Sequence, residues 1–520
     1  MLNNEALDDQ LVPDYCDSFA GGQFSFTRAN RLNDNQAAEL VNVDIVRDGL
    51  ANTRRGTSAL GNAIVAGQRV QGLCMFDTPA AQYLAAVCNG SLCKWDGAAW
   101  SSWGTYAAVN NSATVDVVQG INKLYFADGT SNLISYDGAT LTNHGSGGNT
   151  QPPVNMGMLC WHTDRLFASG QTGASGVPDM VWVSNILDGG TGNLTTQTFR
   201  VGAGEGGPIT ALVPWIDFNL VVLKRNSAWV VTTDPTASVA NWTVKRVHKA
   251  IGCVARRSAV QVGRDVFFLS DTGVRSLQRT ISTEENEIGE TLSFPIQDLI
   301  DRINWSTAGK AAAVFWNNRY LLSVPLDGAA EPNYTLVYNT LTQSWSGYWT
   351  GWTALCFAVS SIGGNLRLNF AQDDGTARQW LDYVSPSNEV EDTFTDNGAP
   401  IATKILTRAM FFKAPQNPKK GFNIELEYFA SNATANVDLV FDQNAAVDLT
   451  DDFSTADAAL TLPFTLPATL PAGGTKRRAF DLLQFAPFRE LQVAVQSESG
   501  KLGVRGVFCT GFVETLDVEQ

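Results

Sequence analysis

The chain has 520 residues, of which 44% are hydrophobic and 17% are charged, a balance typical of a globular protein with at least one large core. Its 51 acidic residues outnumber its 36 basic residues and give a formal net charge of -15. This excess argues against tight wrapping of DNA or RNA, because such binding needs lysine and arginine to face phosphates. The 46 glycines, 27 phenylalanines and 14 tryptophans favour β-strands joined by tight turns.

The N-terminal stretch has no export signal. Glu5, Asp8, Asp9 and Asp14 occupy positions where a secretory peptide would have basic and then apolar residues. No apolar run in the chain approaches the ~18 residues that a membrane-spanning helix requires. We therefore expect neither export by a signal peptide nor membrane insertion.

The eight cysteines are scattered through the chain. Cys88 and Cys93 flank an Asn89-Gly90 turn, but a two-residue turn would place Cys88 opposite Ser91. We expect buried, reduced thiols, which is the usual state in a reducing compartment.

A repeating unit runs from about residue 69 to residue 382. Each copy has a short apolar run, a turn and a second run that often ends in an aromatic residue. The copies open at Tyr83, Leu124, Leu166, Leu220, Val266, Tyr320 and Leu366, so the steps between them run from 41 to 54 residues. This period is that of one four-stranded blade, and Asp-Gly pairs such as those at Asp128 and Asp137 favour the type I′ turns of hairpins.

The spacing predicts an all-β fold: a β-propeller of six to eight blades, closed by pairing an N-terminal strand with late-chain strands. A series of unrelated hairpins in stacked sandwiches is the alternative. Residues 1–22 form an N-terminal arm in this interpretation, and residues 23–385 form the propeller platform.

One helix interrupts the repeat. Ser293-Phe294-Pro295 opens a stretch in which Ile296, Leu299, Ile300 and Ile303 share one helical face. Serine can cap a helix, and proline is tolerated in the first turn. We expect this apolar stripe to dock onto the propeller, and the rest of the chain offers no comparable helix.

The pattern changes after residue 382. Residues 384–400 are polar. We predict a linker at residues 386–400, followed by a small antiparallel β-sandwich at residues 401–520. Residues 442–475 are rich in alanine, aspartate, threonine and proline and are predicted to form a long loop. The strand candidates are Ile405–Phe412, Phe422–Phe429, Val437–Phe441, Leu491–Val495 and Val504–Phe508.

No residue pattern indicates catalysis, a metal or a cofactor. His144, His162 and His248 are isolated from one another in the sequence, and no Cys-x-x-Cys is present. The glycine-rich stretch at 202–207 is followed by Pro208 and β-type residues, so it lacks the helix that a phosphate site needs. We predict a protein that is not an enzyme.

Propellers can also be glycosidases, in which paired carboxylates carry out the reaction. Asp373-Asp374 and Asp451-Asp452 each lie in a predicted turn, where aspartate tolerates a left-handed backbone. Ser270-Asp271-Thr272-Gly273 approaches a sialidase Asp-box, but its offsets are wrong. Tryptophans 95, 100 and 103 could stack on sugars, although such rings more often pack between blades. A carbohydrate-directed propeller, either receptor-binding or hydrolytic, is therefore the alternative function.

Four basic pairs occur, at Arg54-Arg55, Arg256-Arg257, Lys419-Lys420 and Arg477-Arg478. Solvated surface explains each of them simply. The functional interpretation is contact between subunits, because arginine pairs bidentately with carboxylates, which this acidic chain supplies in excess. The candidate subunit-interface residues are Arg54, Arg55, Arg256, Arg257, Lys419 and Lys420.

Both ends of the chain resemble a known family. The N-terminal run Arg31–Val43, leading into Gly49 and Arg54-Arg55-Gly56, resembles the opening of β-propeller tail proteins of tailed bacteriophages. The match is particularly to the nozzle, or tail tubular B type, of short-tailed phages. Lys404–Lys420 and Phe488–Val493 are similar to the C-terminal sandwich of such proteins.

The resemblance implies a structural virion protein, a ring subunit that continues the DNA ejection conduit of a phage tail. It implies a hexameric ring, neighbouring adaptor and fibre proteins, and assembly in the bacterial cytoplasm. Genomic DNA would pass through without tight binding, which the excess of carboxylates favours.

Overall fold

The computed structural model describes residues 11–105, 110–145, 148–171, 177–205, 207–282, 290–385, 388–431, 434–442, 450–454, 476–483 and 485–513. Strands account for 49% and helices for 7%. The chain is a mostly β protein that contains many small antiparallel sheets of four strands, as the all-β prediction requires.

Within the described residues, six short strands precede the repeat. They are β1 Val12–Cys16, β2 Gly22–Gln23, β3 Gln36–Val41, β4 Val43–Ile45, β5 Ala51–Thr53 and β6 Thr57–Ala59.

The next sixteen strands form four antiparallel sheets, each from one continuous segment. Sheet 1 contains β7 Val70–Thr78, β8 Ala81–Cys88, β9 Ser91–Trp95 and β10 Trp100–Thr105; sheet 2 contains β11 Asp116–Gly120, β12 Lys123–Ala127, β13 Leu133–Tyr136 and β14 Leu141–His144; sheet 3 contains β15 Met158–His162, β16 Arg165–Ser169, β17 Met180–Val183 and β18 Thr198–Arg200; sheet 4 contains β19 Ile209–Trp215, β20 Asn219–Lys224, β21 Ala228–Thr232 and β22 Thr243–His248.

Three further sheets complete the repeat region. Sheet 5 contains β23 Val260–Val262, β24 Asp265–Ser270 and β25 Gly273–Ser276; sheet 6 contains β26 Ala312–Trp316, β27 Arg319–Val324, β28 Tyr334–Asn339 and β29 Ser344–Trp349; sheet 7 contains β30 Cys356–Ser360, β31 Arg367–Ala371 and β32 Ala377–Trp380 together with β6. The α-helices are α1 Leu277–Ser282 and α2 Gln297–Asp301, and the 3-10 turns are Ala29–Arg31, Val239–Asn241, Phe294–Ile296, Ala308–Lys310, Ile362–Gly364 and Glu391–Phe394.

The seven runs that open the sequence repeats are the second strands of sheets 1 to 7. Tyr83 lies in β8 and Tyr320 in β27, and the other five runs form the corresponding strands of their sheets. Cys88 pairs with Ser91 across the β8–β9 turn, which confirms the predicted register. The period in the sequence therefore reflects one sheet per repeat.

The seven sheets are arranged in a cycle, called here the sheet cycle. The first strand of each sheet contacts the first strand of the next, in the order β7, β11, β15, β19, β23, β26, β30 and back to β7. Seven buried apolar clusters, counted within the described chain, each join two neighbouring sheets. Strand β6 pairs with β32, so the predicted pairing of an N-terminal strand with a late strand is confirmed.

The remaining strands are β33 Thr395–Asp396, β34 Ala399–Pro400, β35 Thr403–Thr407, β36 Lys419–Ser431, β37 Thr434–Phe441, β38 Thr450–Ser454, β39 Lys476–Asp481, β40 Leu491–Ser497 and β41 Lys501–Val513. The candidates in β36, β37, β40 and β41 are confirmed as strands. The candidate Ile405–Phe412 is wrong beyond Thr407, where only an isolated bridge from Met410 to Leu491 continues the pairing. Asp451-Asp452 lies in β38, so its prediction as a turn is also wrong; residues 443–449 and 455–475 of the predicted loop lie outside the described residues.

The N-terminal strands β1, β3, β4 and β5 join the sheet cycle to the C-terminal strands, and this region is called here the seam. Strand β3 lies between β29 of sheet 6 and β35, so one ten-stranded sheet runs from sheet 6 through β35, β40, β37 and β38. Strands β1, β4 and β5 belong to the sheet of β36 and β41. Pairing thus crosses the predicted boundaries at 22 and 385, which stay predictions. Part of the predicted linker is also structured, since β33 pairs with β6.

The predicted helix is present but short. A 3-10 turn leads into α2, and Ile296, Leu299, Ile300 and Ile303 are all buried against sheets 5 and 6. Ser293 does not cap the helix; its hydroxyl accepts a hydrogen bond from the Val274 N–H at 3.0 Å. The expectation of a single helix was wrong as well, because α1 directly follows β25.

Candidate functional site

The first basic pair begins at the seam with a buried cation. The Arg54 side chain is 1% exposed and forms a bidentate ion pair with Asp396, in which Nη1 donates to Oδ1 at 3.0 Å. Nη2 donates to the Thr350 carbonyl at 2.7 Å, and Nε donates to Asn42 Oδ1 at 3.1 Å. A guanidinium enclosed in this way has no surface to offer a neighbouring subunit.

Aromatic rings and a glycine complete the surroundings of Arg54. Its guanidinium carbon lies 5.7 Å from the ring centroids of both Trp349 and Trp352, a distance at which the ring faces attract a cation. A Cβ at Gly56 would lie 1.9 Å from the Thr395 carbonyl oxygen, so no larger residue fits beside the pair. The run Arg54-Arg55-Gly56 is therefore explained by local packing at the seam.

Arg55 lines a cavity that we call the junction cleft. This cavity of about 290 Å³ separates the sheet cycle from the seam and is lined by charged groups on both sides. Arg55 pairs with Glu389, and Glu389 also accepts a hydrogen bond from Lys501 Nζ at 2.8 Å. Arg319, another lining residue, binds both carboxylate oxygens of Asp44 at 2.7 Å. These pairs tie β4 and β41 to the sheet cycle.

Asp382 also lines the junction cleft, and its Oδ2 accepts a hydrogen bond from Trp316 Nε1 at 2.7 Å. Burial raises the pKa of Asp382 above its ordinary value. Among the described lining residues, Arg55 and Lys501 pair with Glu389, and Arg319 pairs with Asp44, whereas Asp382 Oδ1 is buried without a hydrogen-bond partner.

The second basic pair lies inside the sheet cycle. Arg257 precedes sheet 5, yet its Nη2 donates to the carbonyls of Gln71 at 2.7 Å and Val115 at 2.8 Å, and Nη1 donates to the Leu355 carbonyl at 3.0 Å. These carbonyls precede or belong to the first strands of sheets 1, 2 and 7. The guanidinium therefore lies in the space that the first strands enclose and connects sheets across it.

Arg256 extends this connection by an ion pair with Asp116 on β11. Asp116 Oδ2 in turn accepts a hydrogen bond from the Leu159 N–H of sheet 3 at 2.8 Å. Burial and the adjacent Arg257 lower the pKa of Arg256. The pair thus connects the sheets of one chain, a role that the sequence did not indicate.

The two C-terminal pairs differ from each other. Lys419 is buried, and its Nζ donates to the carbonyls of Asn417 at 2.7 Å and Arg489 at 2.5 Å; burial lowers its pKa. Lys420 is exposed, as is Arg477, whose Nη1 donates to Glu425 at 3.1 Å. Among the six candidate interface residues, Lys420 has the side chain most available to another molecule.

The histidine side chains His144 and His248 make hydrogen bonds within the chain, and most of the cysteine side chains are buried. His248 Nδ1 accepts hydrogen bonds from the N–H groups of Ala250 and Ile251, and His144 Nε2 lies 2.8 Å from Ser135 Oγ. All eight cysteines are free and seven are buried, as expected, with Cys74 partly exposed. No group of three or more His, Cys, Asp or Glu residues that could hold a metal lies within the described ranges.

The aromatic residues proposed for sugar stacking pack within the chain. Trp103 stacks on Tyr136 of sheet 2 with ring centroids 4.3 Å apart, and Trp95 lies 5.7 Å from Trp100.

Among the helices described, none has the length and apolarity needed to cross a membrane.

The partners of the basic pairs could not be predicted from the sequence. Asp396 and Glu389 lie in a stretch predicted as linker, and Asp116 lies in a first strand. The sequence contained one signal for a partner of Arg54: Asn42 lies in the run that carries the family resemblance. In the structure, its backbone adopts a left-handed φ of 54°.

No family model matches the chain. No curated protein matches it either. Among solved structures, it is similar to the computationally designed Ika8 protein, with a TM-score of 0.34 and 11% identity, covering 62% of this chain and 99% of that one.

Proposed function

We propose that this protein is a structural subunit of a bacteriophage tail of the nozzle type, and that its sheet cycle is a seven-bladed β-propeller. The cyclic order of first strands and the closing pair of β6 with β32 support the propeller. The resemblance of the two chain ends to tail nozzles supports the function.

The observation that carries the proposal is the seam. A structural part of a conduit must keep its shape while DNA moves past it. Strand β3 pairs with β29 of sheet 6 at Tyr348 and Val41 and with β35 over four residue pairs, and Arg54 forms a buried ion pair in the same region. Two parts joined in this way move as one piece, which suits a ring subunit better than a hinged enzyme.

The arginines inside the sheet cycle determine where DNA could pass. Arg256 and Arg257 occupy the enclosed space and bind sheets on several sides of it. The conduit of this proposal is therefore the opening between subunits of a hexameric ring, and the axis of each sheet cycle stays closed. Head-to-tail contacts close such a ring when the rotation permits.

The expected partners are further copies of this chain, adaptor and fibre proteins of the tail, and genomic DNA in transit, with assembly in the bacterial cytoplasm. The alternative of a carbohydrate-directed protein gains no support, because Trp95, Trp100 and Trp103 pack against other rings of the chain.

Cryo-electron microscopy of the phage particle that carries this chain tests the proposal. We expect six copies in a ring around the tail axis. A single copy per particle, or a position of three-fold symmetry as in a fibre, would contradict it.

DNA binding by the isolated protein gives a second test. We expect no measurable binding of duplex DNA at physiological ionic strength, because the net charge of -15 leaves carboxylates in excess after internal pairing. Fluorescence anisotropy with labelled DNA, with a basic DNA-binding protein as positive control, measures this. Micromolar or tighter binding that weakens with salt would show that the charge argument is wrong.

A further inference from the structure

One end of the sheet cycle is formed by the turns between first and second strands and between third and fourth strands, and we call it the tip end. Contacts between neighbouring sheets place these turns side by side. The Asp77 N–H, at the end of β7, donates to Gln119 Oε1 near the end of β11 at 2.7 Å. Gly120 at the end of β11 lies against the ring of Trp161 near the end of β15, where a Cβ would come within 2.2 Å.

The exposed apolar side chains of the sheet cycle concentrate at this end. The turns of sheets 2, 3, 4, 6 and 7 contribute them: Ile121, Ile186, Leu187, Phe218, Leu341 and Leu366, all between 44% and 61% exposed. Among the described residues, the turns at the opposite end contain no large apolar side chain of this exposure. An apolar excess at one end of a molecule marks a contact surface more often than chance exposure does.

Four of these residues lie on adjacent turns and form what we call the tip patch: Ile121, Ile186, Leu187 and Phe218. The Leu187 N–H donates to the Asp164 carbonyl at 2.7 Å, which joins two turns of sheet 3. His162, two residues before Asp164, lies beside the backbone of Phe218 in sheet 4. Trp161 packs on Gly120, the neighbour of Ile121.

The backbone at the tip patch is strained at two positions. Ile121 has φ 53° and Leu187 has φ 61°, a left-handed conformation that disfavours bulky side chains, β-branched isoleucine above all. The β8–β9 turn solves the same problem with Asn89 and Gly90. Both residues hydrogen-bond within the chain through their backbones, the Leu187 N–H to Asp164 and the Ile121 carbonyl to Gln119, and their exposed apolar side chains take no part in these bonds. A contact outside the chain explains the side chains better.

Charge indicates the chemistry of the partner. Exposed carboxylates surround the tip patch on Asp137, Asp164, Asp217 and Asp234, and they outnumber the nearby exposed cations Lys123 and Arg264. A complementary surface combines apolar side chains with lysine or arginine. A second copy that presents the same patch fits poorly, because its exposed carboxylates would face those of the first copy.

We propose that the tip patch binds a different protein whose contacting surface is apolar and basic. This inference does not depend on the assignment to a phage tail, because it rests only on exposure, strain and charge at one end of the sheet cycle.

The test uses the full chain and a fluorescent amphipathic peptide of leucine and lysine as probe, with anisotropy as readout. A peptide in which serine replaces leucine is the matched probe control. The tip variant combines Leu187→Ser with Phe218→Ser. The control variant combines Leu341→Ser with Leu366→Ser, which removes apolar groups of similar exposure from the same end but outside the patch.

We expect the tip variant to bind the leucine–lysine peptide about tenfold more weakly than the wild type, because two apolar contacts are lost. The control variant should bind like the wild type, and the serine peptide should bind weakly to all three proteins. A charge variant, Asp137→Asn with Asp217→Asn, should weaken binding as well and covers the case in which the tip variant misfolds.

Equal affinity of the tip variant and the wild type would overturn the proposal, as would equal loss in the control variant. Sedimentation velocity without peptide supplies the remaining outcome. Self-association that the tip variant abolishes would assign the patch to a second copy of this chain and also overturn the proposal.

Discussion

The sheet cycle and the seam both consist of β-strands, but they differ in how far apart in the sequence the paired strands lie. Sheets 1 to 4 each use one continuous segment, and their strands pair with neighbours in the sequence. The seam instead pairs strands separated by hundreds of residues, such as β1 with β41 and β3 with β35. Local pairing leaves a repeat in the sequence, whereas distant pairing leaves none.

The two regions also use arginine differently. At the seam, Arg54 is neutralised by the carboxylate of Asp396. Inside the sheet cycle, Arg257 binds three backbone carbonyls of different sheets. A charge pair and a set of neutral acceptors should respond differently to substitution, and this difference can be measured.

The largest effect is expected from Asp396→Ala, which leaves the Arg54 charge buried and unpaired. The free energy of unfolding should fall by about 3–5 kcal/mol. Chemical denaturation measures it. The matched control is Asp327→Ala, whose bidentate pair with Arg302 has side chains 40% and 48% exposed and should cost less than about 1 kcal/mol. Similar losses in the two variants would mean that the seam does not exclude water.

Replacing Arg257 is expected to lower the free energy of unfolding somewhat less. Arg257→Met leaves the carbonyls of Gln71, Val115 and Leu355 without this donor, and each buried acceptor left unpaired costs about 1 kcal/mol or more. We expect a loss of about 2–4 kcal/mol in chemical denaturation. Arg225→Met, which breaks an exposed pair with Asp271, is the control and should change stability little. An equal effect in both would show that the sheet cycle does not need its central connection.

A third variant tests whether the seam opens separately from the sheet cycle. Asp14 lies on β1 and accepts hydrogen bonds from Arg408 Nη2 at 2.5 Å and from the N–H groups of Phe411 and Phe412 at 2.8 Å. Asp14→Asn should cost about 1–3 kcal/mol, because the charge-assisted bonds are lost. Hydrogen exchange should accelerate in β1 and β41 and stay unchanged in sheets 1 to 4. Uniform acceleration would mean that both regions unfold together.

The smallest effect concerns a buried thiol. Burial raises the pKa of Cys160 to about 12, from an ordinary value of 9.0. Between these values the unfolded chain loses the thiol proton first, so stability falls as the pH rises above 9.

Cys160→Ala should remove up to about 1.4 kcal/mol per pH unit from this alkaline slope. Denaturation curves between neutral and alkaline pH measure the slope, and the difference at neutral pH corrects for the lost side-chain volume. An unchanged slope would mean that the Cys160 thiol titrates normally in the folded chain.

Much of the strand content could be predicted from the sequence, because it depends on local patterns. The apolar runs at Tyr83 or Tyr320 form strands wherever they lie, and the Asn89-Gly90 turn determines which residues face each other across it. The buried stripe of α2 could be predicted for the same reason, since its spacing is a property of the segment alone.

The basic pairs show what could not be predicted. Arg54 and Lys420 look alike in the sequence, as charged residues beside a second charge, yet one is buried and the other exposed. Whether a guanidinium meets solvent or Asp396 depends on a pairing across more than three hundred residues, and no local pattern encodes it.

The sequence by itself therefore determined the second strands of the repeat, hairpin turns such as that at Asn89-Gly90, and the period, because hydrophobic alternation and turn residues act over a few positions. The tertiary structure alone decided that β3 joins sheet 6 to the C-terminal strands, and that Arg257 connects sheets across the cycle. The physical reason is that a buried charge or a strand edge is satisfied by whichever partner the whole fold brings near, and that partner lies far away in the chain.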